Sequence, residues 1–266
     1  MSIKKILACT LATTAAFATL NFSGCNKDDG KTLYVYTNAG FAPYEYVSNG
    51  KVVGVDIDIM NYIGNELGYN VVVYDIDFNQ ILNEVQNNKM AVGAAGMTQN
   101  EGRDQVALAS ISYATSVQYV IVPDGTFDED DLTDGKLSIS KLNELSNKAI
   151  GIQTGTTGEY MLDDAMAEEG DLVGFAKRNY ENAILASRDI GSICGGVIID
   201  KLPAQSITNA NSNLDCFELD AEPESYVLYF NKEATELVSE VNAVLAEMIA
   251  DGTIDQYTIN HSGGAN

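Results

Sequence analysis

Short runs of β-branched and aromatic residues alternate along the chain with longer segments in which apolar side chains recur at helical spacing. Residues 33–36 predict a strand, and residues 55–67 predict a helix whose end is marked by Gly68. The first half continues with predicted strands at 71–74, 90–94 and 118–122 and a predicted helix at 78–86. This alternation indicates a largely parallel sheet with right-handed crossovers. In such sheets the ligand site lies beyond the carboxyl ends of the strands.

The alternation repeats in the second half of the chain. Predicted strands cover 149–153, 196–199, 216–219 and 226–230, and predicted helices cover 156–168, 202–209 and 234–250. The chain length allows one large domain or two lobes of about a hundred residues each. Two α/β units joined through the strands near residues 118 and 226 favour two lobes, and a cleft between lobes is where small ligands bind.

The N-terminal residues have the pattern of an export signal. Lys4 and Lys5 precede an uncharged run at 6–20, which is too short to span a bilayer comfortably. The small residues before Cys25 resemble the processing site of bacterial lipoproteins, although Phe22 stands where Leu is usual. An ordinary signal peptide, with Cys25 incidental, is the alternative. We therefore expect a signal at 1–24, a lipid-anchored Cys25, a tether at 25–32 and a location on the outer face of the cell membrane.

The composition excludes several classes of function. The formal net charge is −23, and it becomes −25 when Lys4 and Lys5 leave with the signal. Such a surface repels phosphate backbones, so no nucleic-acid partner is expected. His261 is the only histidine, in a Gly-rich tail, which argues against a Ser-His-Asp hydrolase and a His-ligated zinc site. We expect neither a metal nor a cofactor.

Two other features concern cysteine and acidic residues. Cys194 and Cys216 remain after the signal and tether, and they form either a disulfide or two free thiols. The acidic cluster at 128–131 lies in a segment at 124–136 that we interpret as a solvated loop. A calcium site is not favoured, because the liganding oxygens do not alternate around a glycine.

A series of short motifs, spread over residues 33–257, carries a resemblance to a known family. In chain order they are the segments 37–45 (ending FAPYE), 49–54 (NGKVVG), 56–58 (DID), 96–98 (GMT) with Arg103, 112–113 (SY), 151–157 (GIQTGTT), 196–200 (GVIID) and 251–254 (DGTI). Each motif alone is weak, but their order and spacing together resemble the extracytoplasmic solute-binding proteins of amino-acid ABC importers.

The resemblance implies an α/β, two-lobed type II periplasmic-binding-protein fold. Each lobe would be a mostly parallel sheet flanked by helices, and two hinge strands would join the lobes. Residues 33–117 and 226–266 would form lobe 1, and residues 118–225 would form lobe 2. The implied function is that of a monomeric, non-enzymatic receptor that captures an amino acid by hinge closure. Its implied partners are the ABC permease subunits in the membrane.

The resemblance also implies roles for three residues near one strand end. Arg103 matches the arginine that binds the ligand carboxylate, and a guanidinium can do so through two charge-assisted hydrogen bonds. Thr98 matches a position whose hydroxyl and N–H contact the ligand, and Gly96 one whose carbonyl accepts from the ammonium. A solvated side chain is the alternative for Arg103. Asn100 and Gly102 depart from the family's Thr-x-Glu-Arg run, so the resemblance does not predict the shape of this loop.

The second lobe would complete the site. Thr156 and Thr157 open a predicted helix, and helix N-termini attract anions. Thr156 with Glu159 also fits a capping box, and both roles are compatible. Asp200 resembles the family's ammonium-binding aspartate, and the alternative is a simple helix N-cap.

Selectivity for the ligand side chain rests on three further positions. Phe41 and Phe78 match rings that flank the ligand side chain, although Phe78 also fits the apolar face of its own helix. Asn38 stands where members that bind cationic amino acids have an acidic residue, and an unpaired buried cation is costly. We therefore expect a non-basic polar amino acid, such as a glutamine-like or cystine-like one. An exported enzyme of the cyclohexadienyl dehydratase type and an amino-acid-sensing module are the alternative functions.

Overall fold

The computed structural model describes residues 31–263. The predicted export signal, Cys25 and most of the predicted tether lie outside the described residues. Within them the chain forms fifteen strands and eight α-helices. None of the helices in this described part is long and apolar enough to cross a membrane.

The strands and helices are numbered in chain order. The strands are β1 Thr32–Thr37, β2 Gly40–Phe41, β3 Glu45–Ser48, β4 Lys51–Val53, β5 Asn70–Asp75, β6 Ala91–Gly93, β7 Leu108–Ala109, β8 Ala114–Ser116, β9 Gln118–Pro123, β10 Ala149–Gln153, β11 Ala176–Tyr180, β12 Gly196–Asp200, β13 Leu214–Glu218, β14 Glu224–Tyr226 and β15 Tyr229–Phe230. The helices are α1 Val55–Leu67, α2 Ile81–Asn87, α3 Glu101–Val106, α4 Thr157–Ala165, α5 Ala183–Arg188, α6 Lys201–Ala210, α7 Thr235–Ala250 and α8 Thr253–His261.

Two five-stranded sheets form the centres of two lobes, as predicted. The first sheet has the order β5-β1-β6-β15-β7, and the second has the order β11-β10-β12-β9-β13. In each sheet four strands run in one direction, and a single strand, β15 or β9, runs against them. Each reversed strand is the first that the chain forms in a five-stranded sheet after it arrives from the other lobe. The prediction of mostly parallel sheets flanked by helices is therefore confirmed.

A short ribbon lies where the chain passes between the lobes. Strands β8 and β14 pair antiparallel, with Ala114 opposite Tyr226 and Ser116 opposite Glu224. Along the chain, the strands of the first sheet come before β8 or after β14. All strands of the second sheet come between β8 and β14. The lobe boundaries at 117/118 and 225/226 stay a prediction; the first follows β8 closely, and the second falls within β14.

Each lobe has a core made of the residues that the apolar patterns indicated. In the first lobe, the buried faces of α1 and α7 pack on β1, with Ile59, Ile63 and Leu245 fully buried. In the second lobe, Ile150 and Ile198 of the central strands pack with Leu162 of α4. These side chains are withdrawn from water, which supplies the main driving force for folding.

Several elements differ from those predicted. The predicted strand at 226–230 is divided into β14 and β15, because the chain leaves the ribbon at Tyr226 before it joins the first sheet. The predicted helix at 78–86 begins as a 3-10 turn at Phe78–Gln80 and continues as α2. The small sheet of β2, β3 and β4 and the strand β11 were not predicted. Strand β11 is a polar, largely exposed edge strand, so its sequence lacks an apolar pattern.

The structure also places the remaining residues of interest. Cys194 and Cys216 are free thiols, the first buried and the second half-buried. His261 is not in a loose tail: it is the last residue of α8, and its Nε2 lies 2.9 Å from Asp58 Oδ2. The acidic cluster at 128–131 is largely exposed, and Asp131 forms an ion pair with Lys141.

Candidate functional site

A small cavity lies between the lobes, beyond the carboxyl ends of β1, β6, β10 and β12. Twelve residues from both lobes form its lining. They are Asn38, Phe41, Glu45, Phe78, Ala95, Gly96, Thr98, Arg103, Gln153, Thr156, Thr157 and Asp200. The location follows from the chain topology, because the turns that leave these strand ends face one another across the cleft.

All nine residues singled out from the sequence line this one cavity. Their individual roles toward a ligand stay predictions. Glu45, Ala95 and Gln153 were not predicted as lining residues. Glu45 lies within the FAPYE motif and Gln153 is the last residue of β10, so adjacency to predicted site residues was the available signal.

Arg103 is buried, with only 5% of its surface exposed. Its Nη1 donates to the carbonyl of Thr98 at 2.6 Å, and its Nη2 donates across the cleft to the carbonyl of Gly155 at 3.0 Å. The guanidinium carbon lies 5.3 Å from the centre of the Phe78 ring, within cation–π distance. Burial lowers the pKa of Arg103, but a guanidinium stays charged in proteins. The alternative of a solvated side chain is therefore wrong.

The loop before Arg103 is shaped by Asn100, which departs from the family pattern. Asn100 is the N-cap of α3, and its Oδ1 accepts a hydrogen bond from the backbone N–H of Arg103 at 2.9 Å. Asn is among the strongest N-cap residues, so the departure preserves the start of this helix. The cap fixes the backbone of Arg103 and thereby aims its side chain into the cleft.

Gly96 occupies a position that other residues would not tolerate. Its φ of +55° lies in the left-handed region, and a Cβ there would be 2.7 Å from Cε1 of Phe41. Its N–H donates to Asp56 Oδ2 at 2.8 Å. The backbone at Gly96 is therefore held against the cavity, with Phe41 packed directly on it.

The N-terminus of α4 forms part of the opposite wall. Thr156 is its N-cap and accepts from the N–H of Glu159, while the Glu159 carboxylate accepts from the N–H of Gly155 at 2.7 Å. This arrangement resembles a capping box shifted by one residue. The N–H groups of Thr157 and Gly158 belong to the first turn, so they have no acceptor within the helix and carry its partial positive charge.

Asp200 lies on the second-lobe wall at the end of β12. Asp200 is the N-cap residue of α6 by position, as the alternative supposed, but its side chain makes no capping bond to this helix. Instead, its Oδ1 accepts from the hydroxyl of the fully buried Tyr226 at 2.6 Å. Burial raises the pKa of Asp200 to about 7, and the negative charge of Glu224 adds to the rise. An ionised carboxylate that is buried beside another negative charge attracts a cation strongly.

Two further carboxyl groups lie close to the cavity. Glu45 is 1% exposed, and its Oε2 has no hydrogen-bond partner among the described residues. Burial raises its pKa well above the usual range, with further contributions from Asp56 and Asp200. Asp56 is fully buried and accepts from Gly96 and from the hydroxyl of Tyr113 at 2.7 Å. Burial raises the pKa of Asp56 to about 6 despite these bonds.

Direct contacts hold the two lobes together around the cavity. Besides the bond from Arg103 to Gly155, Gln153 Nε2 donates to Asn38 Oδ1 at 2.9 Å. Asn38 in turn donates to the carbonyl of Ile76 at 2.7 Å, so both ends of its amide are engaged. The bonds from Arg103 to Gly155 and from Gln153 to Asn38 join residues of opposite lobes, and the structure is therefore closed around the cavity.

Comparison with known proteins gives a consistent result. The profile of the bacterial extracellular solute-binding proteins, family 3, matches residues 33–263. The arginine-binding extracellular protein ArtP of Bacillus subtilis is 25% identical over 258 residues, covering 94% of this chain and 93% of that protein.

Solved structures show the same fold. A mutant of ArgBP from T. maritima has a TM-score of 0.75 at 24% identity and covers 87% of this chain and 95% of its own. An ancestral arginine-binding protein has a TM-score of 0.74 at 28% identity and is known in complexes with arginine and with glutamine; these cover 87% of this chain and 98% or 97% of their own.

Proposed function

Because this chain belongs to family 3 of the bacterial extracellular solute-binding proteins, we propose that the cavity between its lobes holds one polar L-α-amino acid. The chain is thus an amino-acid ABC transporter substrate-binding protein, and it is a binder rather than an enzyme. The observation that carries the proposal is the placement of Arg103 and Asp200, a buried cation and a buried carboxyl group, on opposite walls of one small cavity. A zwitterion offers each of them its complement.

The cation end fits the ligand carboxylate. Among the described residues Arg103 donates hydrogen bonds only to backbone carbonyls, and a charged donor gains more from a carboxylate than from a neutral oxygen. The first-turn N–H groups of α4 add donors from the second lobe. Asp200, on the other wall, receives the ammonium. Contacts with both walls exist only when the lobes are closed, so ligand shifts the equilibrium toward closure.

The side chain of the ligand lies between Phe41 and Phe78 and ends in hydrogen-bond donors. Glu45 supports this, since it lines the cavity with a buried, unpartnered oxygen. The neutral amide of Asn38 favours a non-basic, glutamine-like ligand. Glu45 favours a guanidinium instead, as do the arginine-binding relative ArtP and the arginine complex of the ancestral protein. An amide and a guanidinium both donate N–H groups, and the ancestral relative is known with each. The expectation of a non-basic ligand stays a prediction.

Isothermal titration calorimetry tests the proposal on the protein without residues 1–25. A panel containing glutamine, arginine, cystine, histidine and an apolar amino acid should give binding for at least one donor-terminated side chain. Absence of binding by every amino acid would contradict the function. Glu45→Gln should weaken arginine several-fold more than glutamine if the guanidinium pairs with this carboxylate. Glu66→Gln, on the exposed face of α1, is the matched control.

We propose further that Cys25 carries the lipid anchor and that the closed form docks on the permease subunits at the outer face of the membrane. The position of Cys25 after small residues supports the first part. Metabolic labelling with a radioactive fatty acid should mark the wild-type protein and not Cys25→Ser. Equal labelling of both would contradict lipidation at this residue.

A further inference from the structure

Glu224 is a carboxylate of the connecting ribbon to which the sequence assigned no role. It lies on β14, opposite Ser116 of β8, and it is half-buried. It is not among the residues that line the cavity. It instead lies behind two of them, Thr98 of the first lobe and Thr157 of the second.

Glu224 accepts hydrogen bonds from the hydroxyls of both threonines. Thr98 Oγ1 and Thr157 Oγ1 both donate to its Oε2, the second at 2.8 Å. Gln118 Nε2 donates to the other oxygen, Oε1, at 2.9 Å, and also contacts Thr157 Oγ1 at 3.3 Å. One carboxylate thus gathers donors from the first lobe and from the second.

These bonds fix what the two hydroxyls can offer to a ligand. A hydroxyl has one hydrogen and two lone pairs. Because Glu224 takes the hydrogen of each threonine, only lone pairs remain to face the cavity, and one of the two on Thr157 already accepts from Gln118 Nε2 at 3.3 Å. Neither hydroxyl can then donate to a carboxylate, but both can accept from an ammonium. The donors left for the ligand carboxylate are the Arg103 guanidinium and backbone N–H groups.

We infer that Glu224 is a positioning residue that turns the hydroxyls of Thr98 and Thr157 into acceptors and so reserves them for the ligand's ammonium. Asp200 pairs opposite Gln118 in the second sheet, Gln118 donates to Glu224, and Asp200 lines the same cavity as both threonines, which places this acceptor pair near the carboxyl group already assigned to the ammonium. The inference rests on the proposed function and deepens it, because it states how the site distinguishes the two charged ends of an amino acid.

The test uses three variants of the full-length protein and two ligands. Glu224→Met removes the acceptor at similar size, and Glu224→Gln removes the charge but keeps one acceptor oxygen. Gln118 can turn its amide to accommodate that change, since its own Oε1 is unpartnered among the described residues. Glu222→Met, on the exposed part of the same segment, is the matched control. The first ligand is glutamine or arginine, whichever the wild-type protein binds more tightly. The second is the analogue of that amino acid without the α-amino group, and its affinity is measured by competition with the first ligand.

Glu224→Met should lose about tenfold or more in affinity for the amino acid, with no loss for the analogue, and Glu224→Gln should restore most of the affinity. Equal losses for both ligands, or no loss, would overturn the inference, as would a loss in Glu224→Gln as large as in Glu224→Met. If the analogue displaces the amino acid from none of the proteins, the affinity of Glu224→Gln for the amino acid, compared with that of Glu224→Met, decides the test. Wild-type protein that binds no amino acid would instead contradict the proposed function.

Discussion

The two charged ends of the cavity are built differently. At one end Arg103 is the only cation among the described residues that line the cavity, and none of their carboxylates lies within salt-bridge distance of it. At the other end Asp200, Glu224, Glu45 and Asp56 bring four acidic groups into one region. Burial raises the pKa values of Asp200, Glu45 and Asp56, and hydroxyl and backbone donors to Asp200 and Asp56 offset part of that rise.

This difference shows which kind of ligand group suits each end. The cation end needs an anion, since its neutral partners leave the guanidinium charge uncompensated. The acidic end needs a cation, because raised pKa values indicate that its carboxyl groups are costly to ionise together. An amino acid supplies both, and the surplus of acidic groups is consistent with additional donors on its side chain.

The largest expected effect comes from breaking the cation end. Arg103→Ala should weaken amino-acid binding about 100-fold, since two or more charge-assisted hydrogen bonds are lost in a buried site. Arg103→Lys keeps the charge without the fork and should recover part of the affinity. Arg178→Ala, at an exposed position on β11, is the control. An unchanged dissociation constant for Arg103→Ala, measured by calorimetry, would remove the role assigned to this residue.

The next largest effect on binding should come from a substitution at the acidic end. Asp200→Asn should cost about 30-fold in affinity, because the ammonium loses its charged partner. The same variant should be about 1 kcal/mol or more stable than the wild type at pH 8 without ligand, since it no longer buries an ionised carboxylate. Asp171→Asn on the surface of the same lobe is the control. Denaturant titration measures the stability, and a loss of both affinity and stability would contradict the assignment.

Affinity and stability of the wild type should depend on pH in opposite directions. The pKa of Asp200 is raised by folding to about 7, so its burial favours the fold at low pH and this contribution is lost as the pH rises through about 7. Asp56, with a pKa of about 6, adds to the same trend. Ligand binding requires ionised Asp200, so affinity should rise up to tenfold per pH unit and level off above pH 7. Affinity that falls over this range would contradict the ammonium role of Asp200.

A smaller effect should come from the contact between the lobes. A Cβ on Gly40 would lie 3.0 Å from Cβ of Asn182 in the opposite lobe, and Gly40 does not have a positive φ. Gly40→Ala should therefore hinder closure and weaken binding about threefold, with unfolding unchanged. Gly102→Ala, which meets only a side-chain oxygen of Asn100 at 3.4 Å, is the control. Equal affinity of Gly40→Ala and wild type would show that closure is not tight at this point.

Periodic patterns in the sequence predicted most of the fold. They did not predict burial or hydrogen bonds that depend on contacts between distant parts of the chain. Helix α1 has the predicted bounds because its apolar spacing and Gly68 are unambiguous, and the parallel topology brought the nine predicted residues to one cavity. Glu45 could not be predicted as buried, since a glutamate is ordinarily exposed. Glu224 contacts Thr98, which is 126 residues away, and no local signal reports such a bond.

The most direct test of the account compares one amino acid with two analogues that each lack one charge. The tightest-binding amino acid, its α-carboxamide and its analogue without the α-amino group are titrated into the wild-type protein at pH 7.5. We expect each analogue to bind at least about 30-fold more weakly, because each leaves a buried charge of the cavity unpaired. An analogue that binds as tightly as the parent amino acid would contradict the claim that Arg103 and Asp200 recognise the two ends of one ligand.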